Sequence, residues 1–84
     1  MQTIGSKDNQ YLKLARSLQQ KKGRAEHRCF LIEGARLAEE AVATGMTIRF
    51  AFVSDAAEAR ARQLAEQLDA EGQAVYHLPV HLLA

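Results

Sequence analysis

The sequence predicts a small three-layer α/β sandwich with a mainly parallel sheet. Three observations carry this. Segments with helical spacing of apolar residues alternate with short apolar runs, in the order helix, strand, helix, strand, helix, strand. Strands that alternate with helices of about ten or more residues imply crossover connections and a parallel sheet covered by helices. The runs Cys29–Ile32 and Thr47–Val53 are apolar nearly throughout, as strands buried on both faces are. Gly23, Gly45 and Gly72 fall where helix ends are expected, and glycine is the usual residue just past a helix C-terminus.

Taken in order, Ser6 or Asp8 can cap a first helix running to about Lys22, with Gly23 as its stop. Tyr11, Leu14, Ala15 and Leu18 make its core face. Cys29-Phe30-Leu31-Ile32 has strand length. Gly34 opens a second helix to about Thr44, with Leu37, Ala38, Ala41 and Val42 as its apolar stripe and Gly45 as its end. Thr47–Val53 reads as a second strand: Ile48, Phe50 and Phe52 line one face, and Ala51 and Val53 make the other apolar too. Ser54 or Asp55 caps a third helix with Ala57, Ala61, Leu64, Ala65 and Leu68 on one side, and Gly72 ends it. Gln73–Leu78 is the third strand, and Pro79 suits the first turn of a further helix. That last turn stops after a few residues, and a three-stranded sheet leaves an edge that wants pairing or cover. The expectation is one domain, 1–84, forming the N-terminal part of a longer chain.

A length of 84 residues allows one small core. Hydrophobic residues make up 48% of the chain, enough for a globular fold. Alanine is the commonest of them, so the core should be modest. The net charge of +1 is uninformative, but its distribution is not. Residues 1–36 hold eight basic residues against Asp8, Glu26 and Glu33, a balance of +5; residues 37–84 hold Arg49, Arg60 and Arg62 against seven acids, a balance of −4. Such asymmetry marks one basic face. Arg36 with Glu40, and Glu58 with Arg62, are spaced as i, i+4 ion pairs. Cys29 is the only cysteine, which excludes a disulfide framework and fits a reducing, cytoplasmic setting. No apolar run approaches the roughly 20 residues that span a bilayer, so no membrane partner is expected.

The sequence offers little for chemistry within these residues. His27, His77 and His81 are scattered, and neither a nucleophile elbow nor a metal-binding helix motif is present. Cys29 abuts Phe30 and reads as a small hydrophobe. No phosphate-binding glycine loop exists. Glu33, ahead of the second helix, suits the helix dipole or a partner in Arg24 or Arg28. The expectation is no catalytic, cofactor or metal residue here.

One constellation remains. Asn9, Lys13, Arg16 and Gln20 are spaced four, three and four. At about 100° per residue they share one helix stripe, and Lys21-Lys22-Gly23-Arg24 and Arg28 follow. Each phosphate neutralised by such residues releases counterions, which gives salt-sensitive affinity. Asn9 and Gln20 can hydrogen-bond sugar or base edges. With Tyr11 on the core face, aromatics for stacking are scarce, so recognition of folded RNA by shape and backbone is favoured over single-strand stacking.

In order, the residues are Ile4-x-Ser6-x-x-Asn9-x-x-x-Lys13, Leu18, Lys21-x-x-Arg24, Phe30-Leu31-Ile32-Glu33-Gly34-x-Arg36-Leu37, Glu40-Ala41, Gly45 and Phe52-Val53-Ser54. From Ile4 to about Leu78 this resembles the N-terminal substrate-binding domain of SpoU-type (TrmH-like, SPOUT) RNA 2′-O-ribose methyltransferases. The resemblance implies a ribosomal-protein-like RNA-binding fold and an RNA partner, with ribosomal RNA favoured over transfer RNA. It implies that a separate, knotted C-terminal domain binds S-adenosylmethionine, holds the catalytic residues and dimerises. Residues 1–84 alone would then be inactive and monomeric. It also implies RNA-binding roles for Asn9, Lys13, Lys21 and Arg24; Arg16, Lys22 and Arg28 join them on the charge argument. One departure is Gln10, where the family often has proline or another apolar residue. A free-standing ribosomal-protein-like RNA-binding adaptor without catalytic activity is the alternative, and a protein module for an acidic partner is a third reading.

Overall fold

The computed structural model describes residues 1–83. Its elements are β1 (Gln2–Thr3), α1 (Gln10–Ser17), α2 (Lys21–His27), α3 (Ala35–Ala43), β2 (Ala51–Ser54), α4 (Ala59–Ala70), β3 (Val75–Leu78) and a closing 3-10 turn (Val80–Leu83). The strands form one parallel sheet in the order β1–β3–β2, with Gln2 opposite Tyr76 and Ala51 opposite Val75. Because successive strand residues face opposite ways, β3 serves two cores. Tyr76 and Leu78 pack with Ile4, Leu12 and Leu82, while Val75 packs with Val53, Ala65 and Leu68. Hence α1 and the 3-10 turn cover one face and α4 the other, giving the three layers expected.

The third strand is not the one expected. Residues 29–33 make no sheet pairing, and β1, at the start of the chain, takes the position beside β3. Ile4 extends that edge: its N–H donates to the carbonyl of His77 at 2.8 Å, and its side chain is buried. The run 29–32 is apolar enough for a strand, but its ends prevent it. Arg28 (φ 55°) and Gly34 (φ 96°) both sit at positive φ and redirect the chain on either side. β2 and β3 are also shorter at their starts than the apolar runs suggested.

The long first helix is two helices. Leu18 is buried, and its N–H reaches both Leu14 and Ala15 carbonyls as α1 tightens and ends. The Ser17 hydroxyl donates to the Leu14 carbonyl at 2.6 Å. Gln20 then adopts an extended conformation (φ −101°, ψ 143°) and restarts the chain as α2. Gly23 is therefore no helix stop. It lies buried inside α2, where a Cβ would fall on the carbonyl oxygen of Ser17. Only glycine lets the two helices pack this closely.

The other two glycines do what was expected. Gly45 (φ 77°) and Gly72 (φ 88°) follow α3 and α4. The Met46 N–H donates to Ala41 and the Gln73 N–H to Leu68, closing both C-termini in the same two-bond motif. Ser54 and Asp55 do not cap α4, whose N-cap is Glu58. The Ser54 hydroxyl instead accepts from the Ala56 N–H, and the Asp55 carboxylate accepts from the Val80 N–H at 3.0 Å, securing the 3-10 turn after Pro79.

Four of the five aromatic rings, Tyr11, Phe50, Phe52 and Tyr76, interlock between α1 and the sheet. Tyr11 stacks on Tyr76 at 4.5 Å and meets Phe50 edge-on at 5.4 Å. This bears out the inward placement of Tyr11. The Tyr11 hydroxyl, and then desolvation, raise the Tyr76 phenol above its ordinary pKa.

Candidate nucleic-acid interface

The basic segment maps onto α1, α2 and the turn between them. α1 buries Leu12 and Ala15 and leaves Lys13 and Arg16 exposed, as its amphipathic spacing requires. Lys21, Lys22 and Arg24 are exposed on α2, and Arg28 ends it. Lys13, Lys21, Lys22 and Arg28 make no side-chain hydrogen bond or ion pair among the described residues. The side-chain ion pairs there are Arg36–Glu40 and Arg60–Glu39.

Three residues do structural work that the sequence reading did not assign. Asn9 is the N-cap of α1: its Oδ1 accepts from the N–H groups of Tyr11 (2.8 Å) and Leu12 (3.4 Å). Its amide oxygen is thus occupied, and its –NH2 is what remains for a partner. Arg16 donates through Nη1 to the Lys7 carbonyl at 2.7 Å, tying α1 to the loop before it. Arg24 donates through Nη1 to the Leu18 carbonyl at 3.0 Å, satisfying an acceptor at the α1 C-terminus. Gln20, at the N-cap of α2, is off the Lys13–Arg16 stripe.

Two details of the arrangement run against stability. Lys21 and Lys22 occupy the first turn of α2, with no acidic residue beside them, where the helix dipole disfavours positive charge. Arg28 holds a left-handed backbone, with φ 55° and ψ 40°, a conformation in which a non-glycine residue costs about 1–3 kcal/mol. Both features place cations where the local backbone does not favour them.

Arg49 was missed. The sequence places it in the acidic half, but its Nη1 donates to the His27 carbonyl at 3.3 Å and lies 3.5 Å from the Cys29 sulfur. It therefore joins the end of the basic segment. A signal existed: a basic residue just ahead of a strand, on a fold whose crossovers bring strand starts near preceding loops. Phe30 was also misplaced: it is 57% exposed and belongs to no strand. Glu33 pairs with neither Arg24 nor Arg28; no ion pair to it exists among the described residues. Arg62 donates to the Ala57 carbonyl at 2.7 Å rather than pairing with Glu58, while the expected Arg36–Glu40 pair is present at 4.0 Å.

Among the described residues no cluster of three or more His, Cys, Asp or Glu could hold a metal ion. No helix among them is long and apolar enough to cross a membrane.

The family model described as MRM3-like substrate binding domain matches residues 9–83, most of the chain. Comparison with curated proteins and with solved structures returns no match. The match covers α1, α2 and every element after them, and so includes the whole basic face. The chain belongs to the MRM3-like substrate binding domain family, the N-terminal substrate-binding domain of SpoU-type RNA methyltransferases, which implies an RNA partner.

Proposed function

We propose that this domain docks structured RNA, ribosomal RNA in preference to transfer RNA, for methylation of a ribose 2′-hydroxyl by a further domain of a longer chain. In this reading S-adenosylmethionine and the catalytic groups belong to that further domain, which also dimerises, and the enzyme works in the cytoplasm. Residues 1–84 hold and orient the RNA. The observation that carries the proposal is the set of exposed cations Lys13, Lys21, Lys22 and Arg28, which the domain leaves unpaired while it pairs cations elsewhere. Phosphate oxygens are the partners such a surface suits, because backbone contacts fix register on a nucleic acid and dominate affinity.

The structure guides the choice of variants. Arg24 and Asn9 hold α1, so replacing them confuses binding with folding. The triple variant Lys13→Ala/Lys21→Ala/Lys22→Ala removes charge from exposed positions only. Measured against a ribosomal RNA fragment over a range of salt, its slope of log affinity on log salt should fall by about two to three, since each phosphate contact contributes about 0.7–0.9. An unchanged slope would refute the assignment of this face. A full-length chain bearing the same substitutions should lose methyl transfer at limiting RNA and recover it at high RNA.

A further inference from the structure

We infer that the exposed ring of Phe30, with Arg28 and Arg49, forms a subsite for one unpaired nucleobase of the RNA; this rests on the RNA-docking reading above. Four aromatic side chains interlock in the core. Phe30, 57% exposed, stands outside that cluster, in the basic segment. Leaving such a ring in water forgoes about 1.5–3 kcal/mol of burial, so its exposure is a cost to the free protein that a ligand could offset.

Its surroundings specify the ligand. Phe30 lies on the wall of an extended groove that runs from α1 and the 29–34 loop along β2 to α3 and α4. Leu12 and Leu18 contribute apolar wall. The charged lining residues are Arg16, Arg28 and Arg49 against a single carboxylate, Glu33. Arg49 is held at the start of the loop that carries Phe30 through its bonds to the His27 carbonyl and the Cys29 sulfur. A flat π-face, an apolar wall and guanidinium groups match a base with its attached phosphate: the base stacks on the ring, and the arginines hold the phosphate. A duplex offers phosphates but no exposed base face. An acidic peptide would use the arginines and leave the ring idle. Phe30 is thus the one ring of the basic segment placed for stacking, and the RNA feature recognised is an unpaired nucleotide within a folded RNA.

The test uses the whole chain and two RNA probes, a hairpin with 2-aminopurine in its unpaired loop and a fully paired duplex of the same length. The hairpin should bind more tightly and its 2-aminopurine fluorescence should be quenched. Phe30→Ala should weaken hairpin binding about tenfold, the scale of one lost base–aromatic stack, and abolish the quenching. Duplex affinity should be unaltered. Phe30→Tyr should restore both readouts, Phe30→Leu neither. Equal hairpin affinity in wild type and Phe30→Ala would overturn the subsite while the lysine-dependent salt slope keeps the RNA face. If the triple lysine variant also binds normally, the RNA-docking reading falls with it. Displacement of RNA by polyglutamate, with no sensitivity to Phe30, would assign an acidic protein partner instead. Circular dichroism melting of Phe30→Ala checks the remaining outcome: a marked loss of stability would make the ring a core residue and overturn the inference.

Discussion

Residues 9–34 and residues 35–83 treat charge and backbone in opposite ways. In the second region three arginines have partners within the fold: Arg60 meets Glu39 at 2.6 Å, Arg36 meets Glu40, and Arg62 donates to the Ala57 carbonyl. Its positive-φ positions are glycines, Gly45 and Gly72. In the first region Lys13, Lys21, Lys22 and Arg28 lack partners, a positive φ falls on an arginine, and Phe30 and Ile32 face solvent. An arginine at positive φ and cations without an acidic partner fall together in the first region, as the proposed RNA-docking role would require. In the proposed reading the second region is scaffold and the first is interface.

The sharpest way to break that contrast is at Gly23, where the interface depends on the scaffold's tolerance. Two effects compete in Gly23→Ala. Alanine favours a helix over glycine by about 1 kcal/mol. Against this, the new Cβ falls on the backbone carbonyl of Ser17, which cannot swing aside as a side chain can. Forcing packed elements apart typically costs about 1–3 kcal/mol, and displacing α2 adds the loss of the Arg24–Leu18 bond. The expected net result is destabilisation, seen as a lower urea midpoint, together with weaker RNA binding as Lys21 and Lys22 shift relative to Lys13. A more stable Gly23→Ala protein would show that α1 and α2 are not in contact.

Arg28→Gly sharpens the contrast from the other side. Glycine occupies the left-handed region without the penalty of a Cβ, and its looser unfolded chain takes back part of that benefit. Stability should rise by somewhat under about 1 kcal/mol, read as a higher thermal midpoint, while the salt slope for RNA drops by about one. Opposite signs in the two measurements would identify Arg28 as kept for binding at the expense of the fold. If stability and binding fall together, Arg28 is structural.

The scaffold was more legible in the sequence than the interface, for physical reasons that attach to particular residues. Helices α3 and α4 announced themselves through apolar spacing and through Gly45 and Gly72, because a helix C-terminus has a local solution that local residues encode. β2 and β3 followed from runs that are apolar on both faces. The 29–32 run misled for the same reason: apolar content reports a tendency to be buried, while pairing depends on where the chain is delivered, and that is set by Arg28 and Gly34. The break between α1 and α2 was hidden because Leu18 continues the helical spacing, while the chain leaves the helix only at the extended Gln20. Asn9 was picked out as a partner-facing residue and proved to be a cap; a side chain four positions ahead of Lys13 satisfies either reading. Arg49 could not be placed by helical spacing or charge balance, since it reaches Cys29 from 20 positions further along the chain.

The finest comparison sets one arginine against one lysine of equal charge. Arg60 touches Glu39 through both Nε and Nη2, with the two side chains 63% and 40% exposed. At that exposure an ion pair contributes about 0.2–1 kcal/mol, so Arg60→Gln should lower stability slightly. It should leave RNA affinity and its salt dependence unchanged, although the net charge of the molecule falls by one. Lys21→Gln makes the same change in net charge and should reduce the salt slope by about one. Its stability should be equal or slightly higher, because a cation leaves the first turn of α2. RNA titrations of the two variants side by side separate location from total charge. If both weaken binding equally, the RNA answers to the net charge of the whole molecule, and the division between scaffold and interface loses its electrostatic basis.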